Sequence, residues 1–186
     1  MSDALTVRWA TPDDAEAIAR IHVESWRATY PGLLPDEILA GLDVGRRTEQ
    51  WRGWLSAEPP VFHTLVAEYG AELAGFLAMA FPARDAGEAD DVAEIPALYL
   101  DPKRRRQGIG RALMDAALKA MKARGYREAI LWILGGNEGA AAFYEATGWR
   151  DDGGRRGSQY FPDLRELVEV RYRRALTDVS ARPDTG

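Results

Sequence analysis

The chain has 186 residues, 46% of them hydrophobic and 28% charged. That is enough for one domain with its own core, and it excludes a disordered tail or a mini-protein dependent on crosslinks. Twenty-nine acidic against 24 basic side chains leave a formal net charge of −5, so bulk attraction to nucleic-acid phosphate is excluded and any phosphate binding has to be local. There is no cysteine, which removes disulfides, thiolate metal sites and a cysteine nucleophile. His22 and His63 are too few and too scattered for a metal centre. The N-terminus turns polar too early for a signal peptide, and the longest apolar stretch, 73–81, is far short of a bilayer span. The expectation is a cytoplasmic, soluble domain over 1–176 with a frayed tail at 177–186.

A short strand near Val7 to Trp9 opens the chain. Thr11-Pro12-Asp13-Asp14 then supplies an N-cap, a proline at the first helical position and first-turn acids for a helix to about Tyr30. Pro31-Gly32 stops it. A second helix runs from Pro35 to Leu42, and 46–55 is helical as well. Segments 62–68 and 73–81 are rich in strand formers and flank a short turn, so they form an antiparallel hairpin. An acidic loop at 85–91 follows, then a strand over 94–100.

The clearest helix is 108–124, with Ile109, Leu113, Ala117 and Met121 at i+4 and Gly125 at its end. The continuous apolar run 129–134 has the length of a strand covered on both faces. Strand, helix and buried strand in that order predict that 94–100 and 129–134 are parallel neighbours joined by a right-handed crossover. A short helix over 139–147 and strands near 149–153 and 166–172 complete a mixed sheet.

The chemistry concentrates in Leu98-Tyr99-Leu100-Asp101-Pro102-Lys103-Arg104-Arg105-Arg106-Gln107-Gly108-Ile109-Gly110-Arg111. A basic, glycine-containing turn here joins a strand to the first turn of a long helix. The first helical amides lack intrahelical partners, and the positive dipole end is worth roughly 0.3–1 kcal/mol toward an anion. Gly108 and Gly110 leave no Cβ in the way of a diphosphate, and Arg105, Arg106 and Arg111 add charge-assisted donors. The window matches neither the nucleoside triphosphate loop nor the dinucleotide fingerprint.

Arg105-x-x-Gly108-x-Gly110 resembles the Q/R-x-x-G-x-G/A signature of the GCN5-related N-acetyltransferase (GNAT) family. The resemblance spans roughly residues 5 to 174. Thr11-Pro-Asp-Asp-Ala-Glu-Ala-Ile-Ala-Arg-Ile-His looks like the family's first strand-to-helix segment, and Ala97-Leu-Tyr-Leu-Asp-Pro looks like its fourth strand. Leu131-Trp-Ile-Leu, Asn137, Ala142-Phe-Tyr-Glu and Gly148-Trp149 look like its fifth strand and following helix. The fold so implied is α/β (α+β mixed), a central mixed sheet of six to seven strands splayed between strands four and five and flanked by about four helices. The implied donor is acetyl-CoA, its diphosphate on the turn at 105–111, with Gln107 and Ile109 among the contacts, and its pantetheine along 94–100. There the backbones of Leu98 and Leu100 pair with the pantetheine amides as another strand would, beside Tyr99.

Two proton problems follow. An alkylammonium of pKa near 10.4 is neutral about once in 10³ molecules at pH 7, a handicap of roughly 4–5 kcal/mol. Glu94 lies where family members carry a glutamate base, and by strand alternation it is expected on the face of Leu98 and Leu100. By resemblance Tyr144 is the acid for the leaving thiolate, and Asn137 hydrogen-bonds the CoA arm. Phe143 and Tyr144 point about 100° apart, so one can pack while the other meets the cofactor. Trp26 and Tyr30 belong to an i+4 aromatic stripe with His22, and similar segments in relatives sit beside the acceptor cleft. The acidic loop at 85–91 is a candidate attractor for a cationic acceptor.

The resulting expectation is a metal-free N-acetyltransferase acting by direct attack of a primary amine, small molecule or peptide, in a ternary complex, with no nucleic-acid or membrane partner and a homodimer left open. The rival is a non-catalytic acyl-CoA-binding or sensing module of the same fold.

Overall fold

Seven strands in one sheet, ordered β1-β2-β3-β4-β5-β7-β6, organise the computed structural model, which describes residues 4–158, 161, 163, 164 and 166–176. β1 (Leu5–Trp9), β2 (His63–Tyr69), β3 (Glu72–Ala80) and β4 (Val92–Leu100) pair antiparallel in turn. β4 then pairs parallel with β5 (Glu128–Leu134) through a crossover containing α4 (Ile109–Ala123). β7 (Val168–Ala175) lies antiparallel to β5, and β6 (Arg150–Gly157) forms the edge. The expected hairpin and parallel pair are both present. The last two strands run further than the sequence suggested, because their ladder is held by arginine-carboxylate pairs and carries little apolar signal. The expected tail at 177–186 lies outside the described residues.

Each face of the sheet has its own core. Leu113, Met114, Ala117 and Met121 of α4, all fully buried, pack on Leu77, Met79, Ala93 and Leu131. On the other face α1 (Ala15–Thr29) and α3 (Val44–Ser56) press Ile18, Ile21 and Trp51 against Val66, Phe76 and Ala78. Burying side chains of this size is worth about 1.5–3 kcal/mol each. A 3-10 turn at Pro12–Asp14 leads into α1, where the Asp14 carboxylate accepts from the Thr11 N–H at 2.7 Å and pairs with Arg8 at 2.8 and 2.9 Å. Two short helices complete the fold, α2 (Asp36–Ala40) and α5 (Glu138–Ala146). No helix among the described residues is long and apolar enough to cross a membrane.

His22 of the aromatic stripe is core. Its ring stacks on Tyr99 at 4.7 Å, and its Nδ1 accepts from the Trp51 indole N–H at 3.2 Å. Burial, with Arg47 adding to it, lowers its pKa to about 3. Between pH 6.5 and 3 the unfolded chain therefore binds a proton that the folded chain refuses, so acidification through this window favours unfolding. At pH 5 the penalty is about 2 kcal/mol. Urea titrations at pH 7 and pH 5 are expected to show wild type losing about 2 kcal/mol more than His22→Gln, and equal losses would contradict a neutral buried His22.

One irregularity positions the site. Ala78 faces Ala97, yet Ala80 faces Glu94, so one residue of β3, Met79, opposes two of β4, Ile95 and Pro96. The extra residue is accommodated at Ile95-Pro96, where proline's missing N–H costs the ladder nothing. Side-chain alternation flips across this bulge.

Candidate active site

β4 and β5 pair only from Val92–Glu128 to Ile95–Leu131. Beyond Ile95, β4 stays with β3 while β5 stays with β7, and the sheet opens between them. A cleft of about 510 Å³ fills the opening, walled by β4 and β5, α1, the basic turn and α5.

Along the β4 wall, Asp101 donates its N–H to Ala74 O at 2.9 Å across the β3 ladder. Backbone direction alternates along a strand, so the N–H and C=O groups of Leu98 and Leu100 turn away from β3 and into the cleft. At the turn, Arg106 and Gly108 take left-handed backbone angles, φ 63° and 79°. A Cβ added to Gly108 would meet nothing within 4 Å, so its glycine is required by conformation and the space before α4 is open. Gly110 differs from expectation. A Cβ there would lie 3.3 Å from the Phe143 ring, so this glycine lets α4 approach α5, in addition to lining the cleft. Arg105 and Arg106 line the cleft, and Arg105 reaches across it to the Thr29 hydroxyl at 2.8 Å. Gln107 and Arg111 are exposed and do not line the cleft. Ile109 is 1% exposed with its side chain inside the α4 core, which leaves its backbone for the expected contact.

On the opposite wall, Asn137 accepts the Ala140 N–H at 3.1 Å and so caps α5 while also lining the cleft. Phe143 and Tyr144 both reach the cleft, instead of dividing packing and contact between them. Tyr144 is 7% exposed and packs on Trp149 and Tyr172. Burial, reinforced by the nearby Tyr30, pushes its phenol pKa well above the usual value, so it keeps its proton. Tyr30 lines the cleft, whereas Trp26 lies deeper, packed edge-on to Tyr30 beside Leu34.

Glu94 does not share a face with Leu98 and Leu100. The bulge turns it to the side of Ala97 and Tyr99, opposite Ala80. Its carboxylate, 3% exposed with its residue, accepts from the Arg84 backbone N–H at 2.9 Å, Nε at 3.0 Å and Nη2 at 2.7 Å. It lines a second cavity of about 210 Å³ together with Arg84, Arg156 and Glu169, and this cavity meets the cleft at Ile95, Pro96 and Trp132. Two acids of the acidic loop are already engaged. Asp85 and Glu88 pair with Arg171 at 3.2 and 2.7 Å, and Glu88 pairs with Arg173 at 2.6 Å, so these charges are spent on fastening the loop to β7. Sequence reasoning missed Arg84, Trp132, Arg156 and Glu169. Trp132 was hidden in an apolar strand, Arg84 lies in the loop between β3 and β4, and Arg156 and Glu169 meet through the pairing of β6 with β7.

The chain belongs to the acetyltransferase (GNAT) family, whose model matches residues 15–149. It is 31% identical over 142 residues to the uncharacterized N-acetyltransferase YuaI of Bacillus subtilis, covering 76% of this chain and 78% of that one. A mycothiol acetyltransferase of Amycolatopsis mediterranei is 27% identical over 156 residues, which span 80% of this chain but 47% of that protein. Among solved structures, the PaiA N-acetyltransferase of Thermoplasma acidophilum in complex with coenzyme A superposes with TM-score 0.75 at 23% identity, covering 92% of this chain and 99% of that one. The yncA protein of Salmonella typhimurium with acetyl-CoA gives 0.68 at 19% identity, covering 98% and 99%. The splayed mixed sheet flanked by helices is thus the fold of this family, and the protein is a GNAT-type acetyltransferase.

Proposed function

We propose that the protein transfers an acetyl group from acetyl-CoA to a primary amine by direct attack in a ternary complex. The observation that carries this reading is the parting of β4 from β5 after Ile95, which leaves the backbone groups of Leu98 and Leu100 unpaired by any strand beside the open amides of α4. A strand-like arm of amides fits the first, and a diphosphate fits the second. Acetyl-CoA supplies the activated acyl group as a thioester. Arg105, Arg106 and Arg111 supply charge to its phosphates, and Asn137 keeps its amide N–H₂ for the arm after capping α5.

The chain's own groups then handle the protons. Tyr144 donates a hydrogen bond toward the departing sulfur from a phenol that stays protonated at working pH. Glu94 takes the proton of the acceptor nitrogen through water in the cavity it lines, with Arg84 holding the carboxylate in place. Trp26 and Tyr30 form the acceptor wall. Positioning supplies most of the acceleration, since no group here forms a covalent acyl-enzyme.

CoA release, followed with a thiol reagent across an amine panel, tests the reading, and the cysteine-free chain contributes no background. The expected result is turnover of at least one amine by wild type and a kcat/KM about 10²-fold lower for Glu94→Gln. Acetyl-CoA binding without release from any amine would favour a sensing module, and an unchanged Glu94→Gln rate would remove Glu94 as base.

A further inference from the structure

We infer that the acceptor is an amine that also carries a carboxylate, an α-amino acid in kind, and that Arg156 receives that carboxylate. The inference rests on the acetyltransferase reading above and deepens it.

The second cavity is walled by two arginines and two glutamates, so its formal charges cancel. Their hydrogen bonds are distributed unequally. Glu94 bears three N–H groups of Arg84. Glu169, 5% exposed, takes the Arg156 Nε at 2.7 Å and the Ser158 hydroxyl at 3.1 Å. Each carboxylate is thus already paired with an arginine, with acceptor sites left for water but no unpaired anion to draw in a polyamine.

Arg156 is different. Its guanidinium lies over the Trp132 ring at 4.0 Å, with its side chain 19% exposed. Among the described residues only Nε makes a hydrogen bond, and the Asp85 carboxylate is 4.0 Å from Nη1, beyond hydrogen-bond reach. Among the described residues, the two Nη groups of Arg156 thus have no hydrogen-bond acceptor. The neighbouring Arg171 and Arg173 contrast with it, since they spend Nη groups on Asp85, Glu88 and Glu128. Trp132 below and Glu169 beside it fix the fork, which is the arrangement that recognises a planar carboxylate. Among the same residues, the buried indole N–H of Trp132 also lacks an acceptor.

The surplus in this cavity is of donors, so the missing partner is an anion, while overall neutrality requires that the anion arrive with a compensating charge. A zwitterion satisfies both conditions. With its carboxylate on Arg156, its amine lies on the side of Pro96 and Trp132, where the cavity meets the cleft.

The test compares L-amino acids with their carboxamides and their decarboxylated amines in the CoA-release assay, with acetyl-CoA affinity measured by calorimetry. The expected result is kcat/KM at least about 10²-fold higher for the acids, as for a site left with unpaired buried donors by the analogue. Arg156→Met should raise KM for the acids about 10-fold or more with acetyl-CoA Kd unchanged. Arg156→Lys, which keeps the charge and loses the fork, should fall between. Equal efficiency with acids and carboxamides, no turnover of any acid, or an unaltered KM in the Arg156 variants that bind acetyl-CoA would overturn the inference. Failure of wild type to bind acetyl-CoA would instead strike the acetyltransferase reading beneath it.

Discussion

Gly108→Val is expected to weaken acetyl-CoA binding by at least about 100-fold while leaving the protein folded. Gly108 stands at φ 79° with open space around it, so a valine is penalised by backbone conformation before any contact is counted. The left-handed region costs an ordinary residue about 1–2 kcal/mol, and a β-branched one has the least room to adjust. The turn can relieve this only by rotating the peptide planes that aim the first amides of α4 at the cleft. The helix itself remains anchored through Ile109, Leu113 and Met121. Gly125 supplies the control. It ends the same helix at φ 85°, also with nothing within 4 Å of an added Cβ, and it does not line the cleft. Gly125→Val therefore carries the same strain and should leave acetyl-CoA Kd unaltered in calorimetry. Equal Kd values for wild type and Gly108→Val would remove the turn from the cofactor site.

Tyr144→Phe is expected to lower kcat by about 10²-fold with acetyl-CoA Kd within about 3-fold of wild type. The substitution deletes one hydroxyl and keeps the ring that packs on Trp149 and Tyr172, so a lost rate cannot be charged to a lost fold. The sign of the pKa shift adds a second check. Burial and Tyr30 raise the phenol pKa, so the proton remains in place throughout the working range, and the wild-type rate should show no decline from Tyr144 ionisation below about pH 10. A steady-state rate unchanged in Tyr144→Phe would remove it as the proton donor.

What the sequence revealed, and what it hid, divides along physical lines. The crossover helix and its glycine cap were legible because Ile109, Leu113, Ala117 and Met121 repeat at helical spacing, and β5 because 129–134 is apolar throughout. The basic turn stood out because its arginines and glycines, placed between a strand and a long helix, resemble the family's Q/R-x-x-G-x-G/A signature. Glu94 was expected on the face of Leu98 and Leu100 and lies on the other: alternation is a local rule, and the bulge at Ile95-Pro96 that breaks it is visible only in the pairing of β4 with β3. The loop acids could not be read as structural because their partners, Arg171 and Arg173, lie more than 80 positions away in the chain. Arg156 and Glu169 were silent for the same reason, since strands β6 and β7 gain their meaning from pairing with each other and with β5. Gly110 shows a milder version, in which a residue expected to give access to a ligand also serves helix packing against Phe143.

The most direct measurement is a crystal structure of the protein with acetyl-CoA. The diphosphate is predicted to accept hydrogen bonds from main-chain N–H groups in the stretch 106–111, with the pantetheine amides paired to the backbone of Leu98 and Leu100 and the thioester beside Tyr144. A ligand bound elsewhere, or a diphosphate held by side chains away from the start of α4, would contradict the account.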